Sequence, residues 1–438
     1  MSMPLDIAPH FEFRGGRLHV EDVALDTLAA RFGTPAYVYS KAALVEAYAA
    51  YSDAAAKYAE RGGVLVCYAV KVNSNLAILN LFASLGAGFD IVSGGELARV
   101  IAAGGDPRNV IFSGVGKSRG EIRSALAAGI RCFNVESVSE LRRLSTMAGE
   151  AGSVARISLR VNPDVDAKTH PYISTGLAEN KFGIAHRDAR DAYLEAVRLP
   201  HLAVIGIDCH IGSQLLDDAP LLAALDRLIE LIDRLDEDGI EIEHIDLGGG
   251  LGIRYGNESA GTIPPAPGDY LARVFAHIDA WRAAKHGGKP IGIMFEPGRS
   301  LVGKAGILLT AVEVLKPGAT KNFAVLDAAM NDLIRPALYD EWHEVVTVAE
   351  ASTAREAVWD VVGPICESGD WLARGRKLKL AEGDLLAFLS AGAYGMAMAS
   401  NYNTRPRAIE LFVDGEDVHV IRERESIASL FSGERVIG

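Results

Sequence analysis

The sequence has little cysteine and no concentration of positive charge, and both shortages narrow the range of functions. The four cysteines, Cys67, Cys132, Cys209 and Cys366, form no C-x-x-C pair in a chain of 438 residues. That pattern fits neither a disulfide framework nor a paired-cysteine metal site. Lys and Arg number 44 against 57 Asp and Glu, which gives a net charge of −13. Without a long basic cluster, nucleic acid is not an expected partner.

Long hydrophobic runs and several catalytic signatures are also missing. No apolar stretch approaches the length of about 20 residues that spans a membrane. The start, MSMPLDIAPHFEF, lacks a basic segment followed by an apolar one. The motifs H-E-x-x-H, G-x-S-x-G and G-x-G-x-x-G are absent, which argues against a zinc protease, a serine hydrolase and a dinucleotide dehydrogenase. We therefore expect a soluble, reducing, cytoplasmic setting and no metal.

Short apolar runs alternate with Ala/Leu-rich helical stretches between residues 35 and 303. The eight β-like runs are VLVCYAV, FDIVS, VIFSG, RCFNVE, RISLRVN, VIGIDCHI, HIDLGGG and IGIMFEPG. Eight strands, most followed by a helix, are typical of a (β/α)₈ barrel of the TIM type. A doubly wound open sheet would show the same alternation. The count of eight and the position of the polar residues favour the barrel.

The sequence changes in character after residue 303, where β-like runs follow one another with few helices between them. Examples are ILLTAVEVLK, NFAVLDAA, HEVVTVA, AVWDVVG, DLLAFLS and AIELFVDGEDVHVI. The first residues, in FEFRGGRLHVEDV, have the same character. We predict a second, β-rich domain of the barrel or sandwich kind, formed by residues 1–34 and 304–438.

Polar residues stand at the carboxyl ends of the predicted barrel strands, where catalytic groups of such barrels lie. They are Lys71, Asp90, Ser93, Ser113, Asn134, Glu136, Arg160, Asn162, His210, Gly248 to Gly250, Glu296 and Arg299. A lysine partly desolvated at this rim could be a nucleophile toward an aldehyde, although a lysine whose tip merely reaches solvent would look the same. The glycine run supplies unobstructed N–H groups suited to a phosphate, although such runs are often only turns.

The set of motifs closely resembles the diaminopimelate decarboxylase family, within the fold-type-III pyridoxal-phosphate enzymes that have an alanine-racemase-like barrel. The resemblance extends nearly from end to end. It rests on YAVKVNSN, GFDIVSGGEL, LRVNPDVDAKTHPYISTGLAENKFGI, CHIGSQ, DLGGGLGIRY, EPGRSLVG, NDLIRPALYD, GPICESGD and GAYGMAMASNYNTRPR.

The resemblance implies pyridoxal 5'-phosphate (PLP) as cofactor and gives roles to barrel residues. Lys71 would be the Schiff-base lysine, His210 would stack on the ring, and Glu296 would hold the pyridine nitrogen. The remaining cofactor-binding residues would be Asp90, Ser213, Gly248, Gly249, Gly250, Gly298, Arg299 and Tyr394.

The resemblance also implies a substrate pocket and a dimer. Arg299, Arg335, Tyr339, Glu367 and Tyr394 would bind the substrate. A guanidinium suits the distal carboxylate of diaminopimelate, and Glu367 suits its distal ammonium. Cys366 would return a proton after CO₂ leaves. With Glu367, it would come from the partner subunit of a homodimer.

The expected reaction converts meso-2,6-diaminopimelate to L-lysine and CO₂ through a PLP external aldimine, the last step of lysine biosynthesis. Four alternatives remain. Decarboxylases of ornithine, arginine or carboxynorspermidine would be expected to have an acidic residue near NDLIRPALYD. An amino acid racemase needs a second base, typically tyrosine, where GPICESGD offers cysteine. A PLP-binding homeostasis protein would be a lone, shorter barrel. A dinucleotide dehydrogenase lacks its glycine fingerprint here.

Overall fold

A computed structural model describes residues 3–5, 7–166, 175–176, 180–259, 262–285, 290–349 and 354–438. Part of the motif LRVNPDVDAKTHPYISTGLAENKFGI, at residues 167–174 and 177–179, lies outside these ranges. The chain forms two compact units. The barrel unit contains residues 48–252 and 263–299, and the β-rich unit contains residues 1–47, 253–262 and 300–438.

The barrel unit contains eight parallel strands. In chain order they are Val64–Ala69, Gly88–Ile91, Val110–Phe112, Cys132–Val135, Ala155–Asn162, Leu202–Asp208, His244–Asp246 and Gly292–Phe295. Each pairs with the next, and the eighth pairs with the first, so the sheet is closed. A two-residue strand, Ile184–Ala185, is added beside the fifth. The predicted (β/α)₈ barrel is confirmed, and the open-sheet alternative was wrong because an open sheet leaves two free edges.

A helix follows each barrel strand. These helices are Leu76–Ser84, Gly94–Ala102, Arg119–Ala128, Val138–Glu150, His186–Ala196, Ala219–Glu237, Pro267–Lys285 and the short Arg299–Val302. Single 3₁₀ turns are Ala59–Arg61, Val70–Val72 and Pro107–Asn109. Three successive helices begin with the pattern S-x-x-E, in which Ser93, Ser118 and Ser137 each accept the N–H of the glutamate three residues later. These caps fix where each helix starts behind its strand.

The β-rich unit holds two sheets. The four-stranded sheet contains Met3–Leu5, Ala8–Arg14, Arg17–Val20 and Val23–Ala24. The nine-stranded sheet contains Ala36–Ser40, Gly306–Lys316, Asn322–Leu326, Val345–Thr347, Glu356–Val362, Trp371–Lys379, Leu385–Phe388, Ile409–Asp414 and Asp417–Arg422. The strand Trp371–Lys379 was not predicted, because its basic residues and Gly375, which has a φ of 65°, hide the alternation.

The remaining helices of this unit are short. They are Leu25–Phe32, Arg335–Tyr339, Ile427–Leu430 and the 3₁₀ turns Met396–Met398 and Tyr402–Thr404. The core of this unit consists of fully buried aliphatic and aromatic side chains such as Phe11, Val38 and Leu411. No helix in the part of the chain that the structure describes is long and apolar enough to cross a bilayer.

The boundary between the units falls later than the predicted residue 35. The strand Ala36–Ser40 pairs with Gly306–Lys316 and with Ile409–Asp414, so it belongs to the β-rich unit. The boundary at residues 47 and 48 lies within the helix Lys41–Ala56. A continuous helix has no change in hydrophobic pattern at this point, and sequence alone gives no signal there.

Candidate active site

Lys71 lies in the 3₁₀ turn Val70–Val72, directly after the first barrel strand. Its Nζ donates to Oδ2 of Asp90 at 2.7 Å, and the Asp90 side chain is fully buried at the end of the neighbouring strand. Two predicted cofactor-binding residues are thus in direct contact. The apolar run before Lys71 is the strand that carries the amine to the carboxyl end of the barrel.

The turn after the eighth strand packs closely against the turn that holds Lys71. The Ala69 N–H donates to the carbonyl oxygen of Pro297 at 3.1 Å. A Cβ on Gly298 would overlap Cγ2 of Val72. Glycine at 298 therefore allows this approach, and it brings Glu296 and Arg299 to the same rim as Lys71.

The glycine run is shaped by close approach and by positive φ angles. Gly248 has a φ of 63° and Gly250 a φ of 125°, both unfavourable for residues with a Cβ. A Cβ on Gly249 would overlap the carbonyl oxygen of Glu296. These positions therefore require glycine, and the phosphate cradle stays a prediction.

His210 follows the sixth strand and faces the glycine run. The N–H of Gly249 donates to its Nδ1 at 3.3 Å, which assigns an acceptor role to that nitrogen. Burial, and then the positive charges of Arg160 and Lys71, lower the pKa of His210 well below its ordinary value. The imidazole ring is therefore neutral at physiological pH. A neutral ring can stack on an electron-poor aromatic ring.

Arg299 and Ser213 meet at the rim. Arg299 is almost fully buried, and its Nη2 donates to the Ser213 Oγ at 3.1 Å. A serine hydroxyl and a guanidinium side by side suit an anionic oxygen. The structure therefore brings together two residues that were predicted from separate motifs.

Glu296 is buried at the end of the eighth strand, beside two aspartates that sequence reasoning missed. Burial, followed by the charges of Asp246 and Asp90, raises the pKa of Glu296 well above its ordinary value. Asp208 and Asp246 lie close to it. Each aspartate stands at the carboxyl end of an otherwise apolar strand. That position is the sequence feature by which both could have been predicted as site residues.

The other predicted polar residues of the rim mainly support its structure. Arg160 forms an ion pair with Glu136 at 3.1 Å, and both are buried. Asn134 donates to the Ser113 hydroxyl at 3.2 Å. The Asn162 side chain accepts the N–H of Asp164 at 3.0 Å, and Ser93 caps a helix.

The β-rich unit holds the remaining predicted site residues, and three of them form a cluster. Arg335 begins a short helix and is only 2% exposed. Its guanidinium carbon lies 5.5 Å from the ring centre of Tyr339 and 5.6 Å from that of Tyr394. Glu341 Oε2 lies 3.1 Å from Arg335 Nη2. Tyr394 has a φ of 57°, a strained backbone conformation that often marks a functional position.

Cys366 and Glu367 are exposed on a loop whose backbone is held by hydrogen bonds to buried or neighbouring side chains. The buried Asp370 accepts the N–H groups of Met330 and Ile365, both at 2.8 Å. The N–H of Cys366 donates to Oδ1 of Asn403 at 3.0 Å. The loop is therefore held while its thiol remains accessible. The other three cysteines are buried, as expected of packing residues.

Known proteins resemble this chain over almost its whole length. Residues 44–303 match the family model "Pyridoxal-dependent decarboxylase, pyridoxal binding domain". The diaminopimelate decarboxylase of Pseudomonas aeruginosa is 57% identical, with 98% of this chain and 99% of that protein covered. The enzyme of Pseudomonas fluorescens is 56% identical with the same coverage. The chain belongs to the diaminopimelate decarboxylase family.

A solved structure of the family has the same fold. Diaminopimelate decarboxylase from M. jannaschii, in complex with L-lysine, is 37% identical, covers 99% of both chains and has a TM-score of 0.92. The family is pyridoxal-dependent, and PLP is the cofactor of this chain.

The residues of the barrel unit fit PLP on two independent grounds. Lys71 offers an amine at the rim, and Glu296 Oε1 is buried without a hydrogen-bond partner in the described part of the chain. Such an oxygen needs a cationic or N–H partner, which a protonated pyridine nitrogen provides.

Proposed function

We propose that this protein decarboxylates meso-2,6-diaminopimelate at its D centre, giving L-lysine and CO₂ as the last step of lysine biosynthesis. The observation that carries the proposal is Arg335, a buried guanidinium framed by two tyrosines. A guanidinium in this position, which pairs with the Glu341 carboxylate here, suits a carboxylate of the substrate, and diaminopimelate keeps one at the end that does not react. The similarity to enzymes of that name, over 98% of this chain, supports the same substrate.

The barrel unit, in this proposal, binds the cofactor. PLP supplies an electron sink for the pair of electrons that remains when CO₂ departs. Lys71 provides the amine that anchors the cofactor, and neutral His210 packs on the face of its ring. The turn at Gly248 to Gly250 and the Ser213 hydroxyl would bind its phosphate, with help from the EPGR turn and Tyr394. The Glu296 carboxylate holds the pyridine nitrogen.

The β-rich unit, residues 1–34 and 304–438 in the predicted division, supplies the groups that bind the substrate and contact a second subunit. Arg335 binds the distal carboxylate, with Tyr339 and Tyr394 fixing its guanidinium plane, and Arg299 contributes from the barrel. Glu367 binds the distal ammonium. The Cys366 thiol donates a proton to the carbon that has lost CO₂.

Cys366 and Glu367 act, in this proposal, in the site of a partner subunit. Their exposure on a loop with a fixed backbone is consistent with residues that complete a neighbouring barrel. An isologous two-fold homodimer would form two such sites at once. We also propose a cytoplasmic location, which fits the reduced state that the Cys366 thiol needs.

The test is a comparison of substrates with purified, PLP-loaded protein. The protein is incubated separately with meso-diaminopimelate, lysine, ornithine and arginine, and CO₂ release is measured. We expect release from meso-diaminopimelate at a rate far above the other three. Faster release from ornithine or arginine would move the chain to a related decarboxylase, and a PLP-loaded protein without any release would favour the homeostasis protein.

A further inference from the structure

Three carboxyl groups from neighbouring strands meet inside the barrel. In the strand register Asp208 lies opposite Asp246, and Asp246 lies opposite Met294, two residues before Glu296. One oxygen of each of the three groups lies within 4.8 Å of the others, and all three side chains are buried. Ionised carboxylates away from water repel strongly at this separation, so the cluster needs protons or a cation.

Among the residues that the structure describes, the charged groups that act on the cluster do not supply enough cations. The carboxyl groups are Asp90, Glu136, Asp208, Asp246 and Glu296, and the cations are Lys71 and Arg160. Lys71 already contacts Asp90, and Arg160 contacts Glu136. Even if each cation cancels one carboxylate, three negative charges remain. The other facing titratable groups are neutral, since burial lowers the pKa of His210 and raises that of the thiols Cys67, Cys132 and Cys209.

The hydrogen bonds of the cluster also call for protons. Asp246 Oδ1 accepts the N–H of Gly248 at 2.9 Å. Asp246 Oδ2, Asp208 Oδ1 and Glu296 Oε1 are buried and have no hydrogen-bond partner within the described ranges. Two ionised carboxylates offer only acceptors, whereas a protonated one becomes a donor to its neighbour. Protons shared among the three groups would satisfy these oxygens.

Asp246 is placed to be the shared acceptor. It lies between the other two groups in the register, and the Gly248 N–H fixes its orientation. Burial is the largest cause of the raised pKa values in all three groups. The central position of Asp246 and the N–H that it accepts from Gly248, which stabilises a carboxylate, favour the negative charge on Asp246 and protons on the outer two groups.

We propose that Asp246 is a positioning residue for Glu296, which it keeps protonated in the cofactor-free protein. Before binding, protonated Glu296 donates a hydrogen bond to the Asp246 carboxylate. On binding, the O–H bond of Glu296 would break and its proton would leave to solvent, because free PLP already carries a proton on its pyridine nitrogen at neutral pH. Glu296 would then be the carboxylate that faces this N–H. The proposal rests on the proposed function only in taking Glu296 as the partner of the ring nitrogen.

The first experiment locates the proton in the cofactor-free protein by infrared spectroscopy. At neutral pH the parent should show the C=O stretching band of protonated carboxylic acids, shifted in D₂O. Glu296→Gln should remove part of this band, and so should Asp246→Asn, because the asparagine removes the neighbouring negative charge and its amide can donate an N–H to ionised Glu296. Asp218→Asn, which removes another buried aspartate of the barrel unit, paired with Arg273, should leave the band unchanged.

The second experiment counts protons released when PLP binds, by titration calorimetry in buffers that differ in ionisation enthalpy. The parent should release about one proton per site, whereas Asp246→Asn should release close to none, because its Glu296 is already ionised. The dissociation constant of this variant for PLP should correspondingly depend less on pH than that of the parent. A purely structural role of Asp246 would weaken binding without changing the proton count. Should Asp246→Asn fail to fold, Asp208→Asn should still weaken the infrared band.

Three outcomes would overturn the proposal. They are an absent acid band in the parent, a band that neither Glu296→Gln nor Asp246→Asn diminishes, and a stoichiometric divalent cation in the purified protein whose removal by EDTA creates the band. Failure of the proposed function is distinguishable from these results. A protein that binds PLP with the expected proton count but releases no CO₂ would contradict the decarboxylase and leave the protonation of Glu296 by Asp246 intact.

Discussion

The two units hold candidate site residues of contrasting character. In the barrel unit Asp90, Asp246 and Glu296 are buried at strand ends, and their charges act on one another. In the β-rich unit the candidate residues lie on turns and short helices, and they range from buried Arg335 to exposed Cys366. The barrel residues are thus preorganised by burial, whereas the thiol of Cys366 is accessible to solvent.

The difference shows how a closed sheet and loops serve different needs. Parallel strands bring many side chains to one rim, where backbone hydrogen bonds fix each position and water is excluded. This favours perturbed pKa values and a tightly bound cofactor. Loops and turns can instead present a thiol or a carboxylate to a second molecule. The predictions below test this contrast, beginning with the largest expected effect.

Lys71→Ala should abolish the absorption band of bound PLP and lower turnover by more than about a thousandfold. The amine is the covalent anchor, and no other lysine is predicted at the end of a barrel strand. The protein should still fold, since a single side chain at a strand end is lost. The matched control is Lys57→Ala, which changes an exposed lysine of the same unit and should retain the absorption band and the turnover of the parent. An unchanged absorption band in the Lys71 variant would remove Lys71 from the site.

Mixing two inactive variants tests whether the loop of Cys366 completes a partner's site. Lys71→Ala and Cys366→Ala homodimers should each be nearly inactive. After subunit exchange, half of the dimers are mixed, and each mixed dimer has one site with both defects and one with neither. Activity should therefore rise to about a quarter of the parent's. If tagged pull-down verifies exchange and activity stays at the level of the components, both residues act in one chain's own site.

Arg335→Lys should lower kcat/KM for meso-diaminopimelate about a hundredfold, or about 3 kcal/mol. Lysine keeps the charge but loses the planar fork that Tyr339 and Tyr394 flank, so the bidentate contact with a carboxylate is lost. The matched control is Arg374→Lys, an exposed arginine of the same unit that stacks on Trp371 at 3.3 Å. Kinetics like those of the parent would assign the distal carboxylate to another group.

Asp332 should make the stability of the protein depend on pH. Burial raises its pKa from 3.8 to about 7, although the Ala329 N–H donates to its Oδ2 at 3.0 Å. A raised pKa means that stability is fully present below the unfolded value and is lost as pH rises through about 7. The loss is about 4 kcal/mol across this range.

Asp332→Asn should flatten this loss, which denaturant unfolding at a series of pH values measures. Asparagine keeps an oxygen that can accept the Ala329 N–H and cannot ionise. Glu382→Gln, an exposed acid of the same unit, should leave the pH dependence unchanged. An unaltered slope in the Asp332 variant would show that Asp332 is ionised in the folded protein without cost.

Much of the barrel half could be predicted because its signals are local. Each strand is an apolar run that ends in a polar residue, as VLVCYAV ends at Lys71, and this pattern placed Lys71, Asp90 and Glu296 at one rim. The β-rich half was harder. The strand Trp371–Lys379 lacks a clear alternation, and Ala36–Ser40 belongs to the second sheet because of partners far away in sequence. Arg335 and Cys366 were predicted only through resemblance to the family.

The sequence by itself determined the eight-stranded barrel, the β-rich second unit and the residues at the strand ends, because alternation of apolar and polar residues is encoded within each segment. Only the tertiary structure decided that Asp208, Asp246 and Glu296 share one buried space. Their proximity depends on the register between neighbouring strands, and register is set by closure of the whole sheet rather than by any one strand. A lone aspartate in an apolar strand has no local pattern that reveals its partners, and its pKa depends on them.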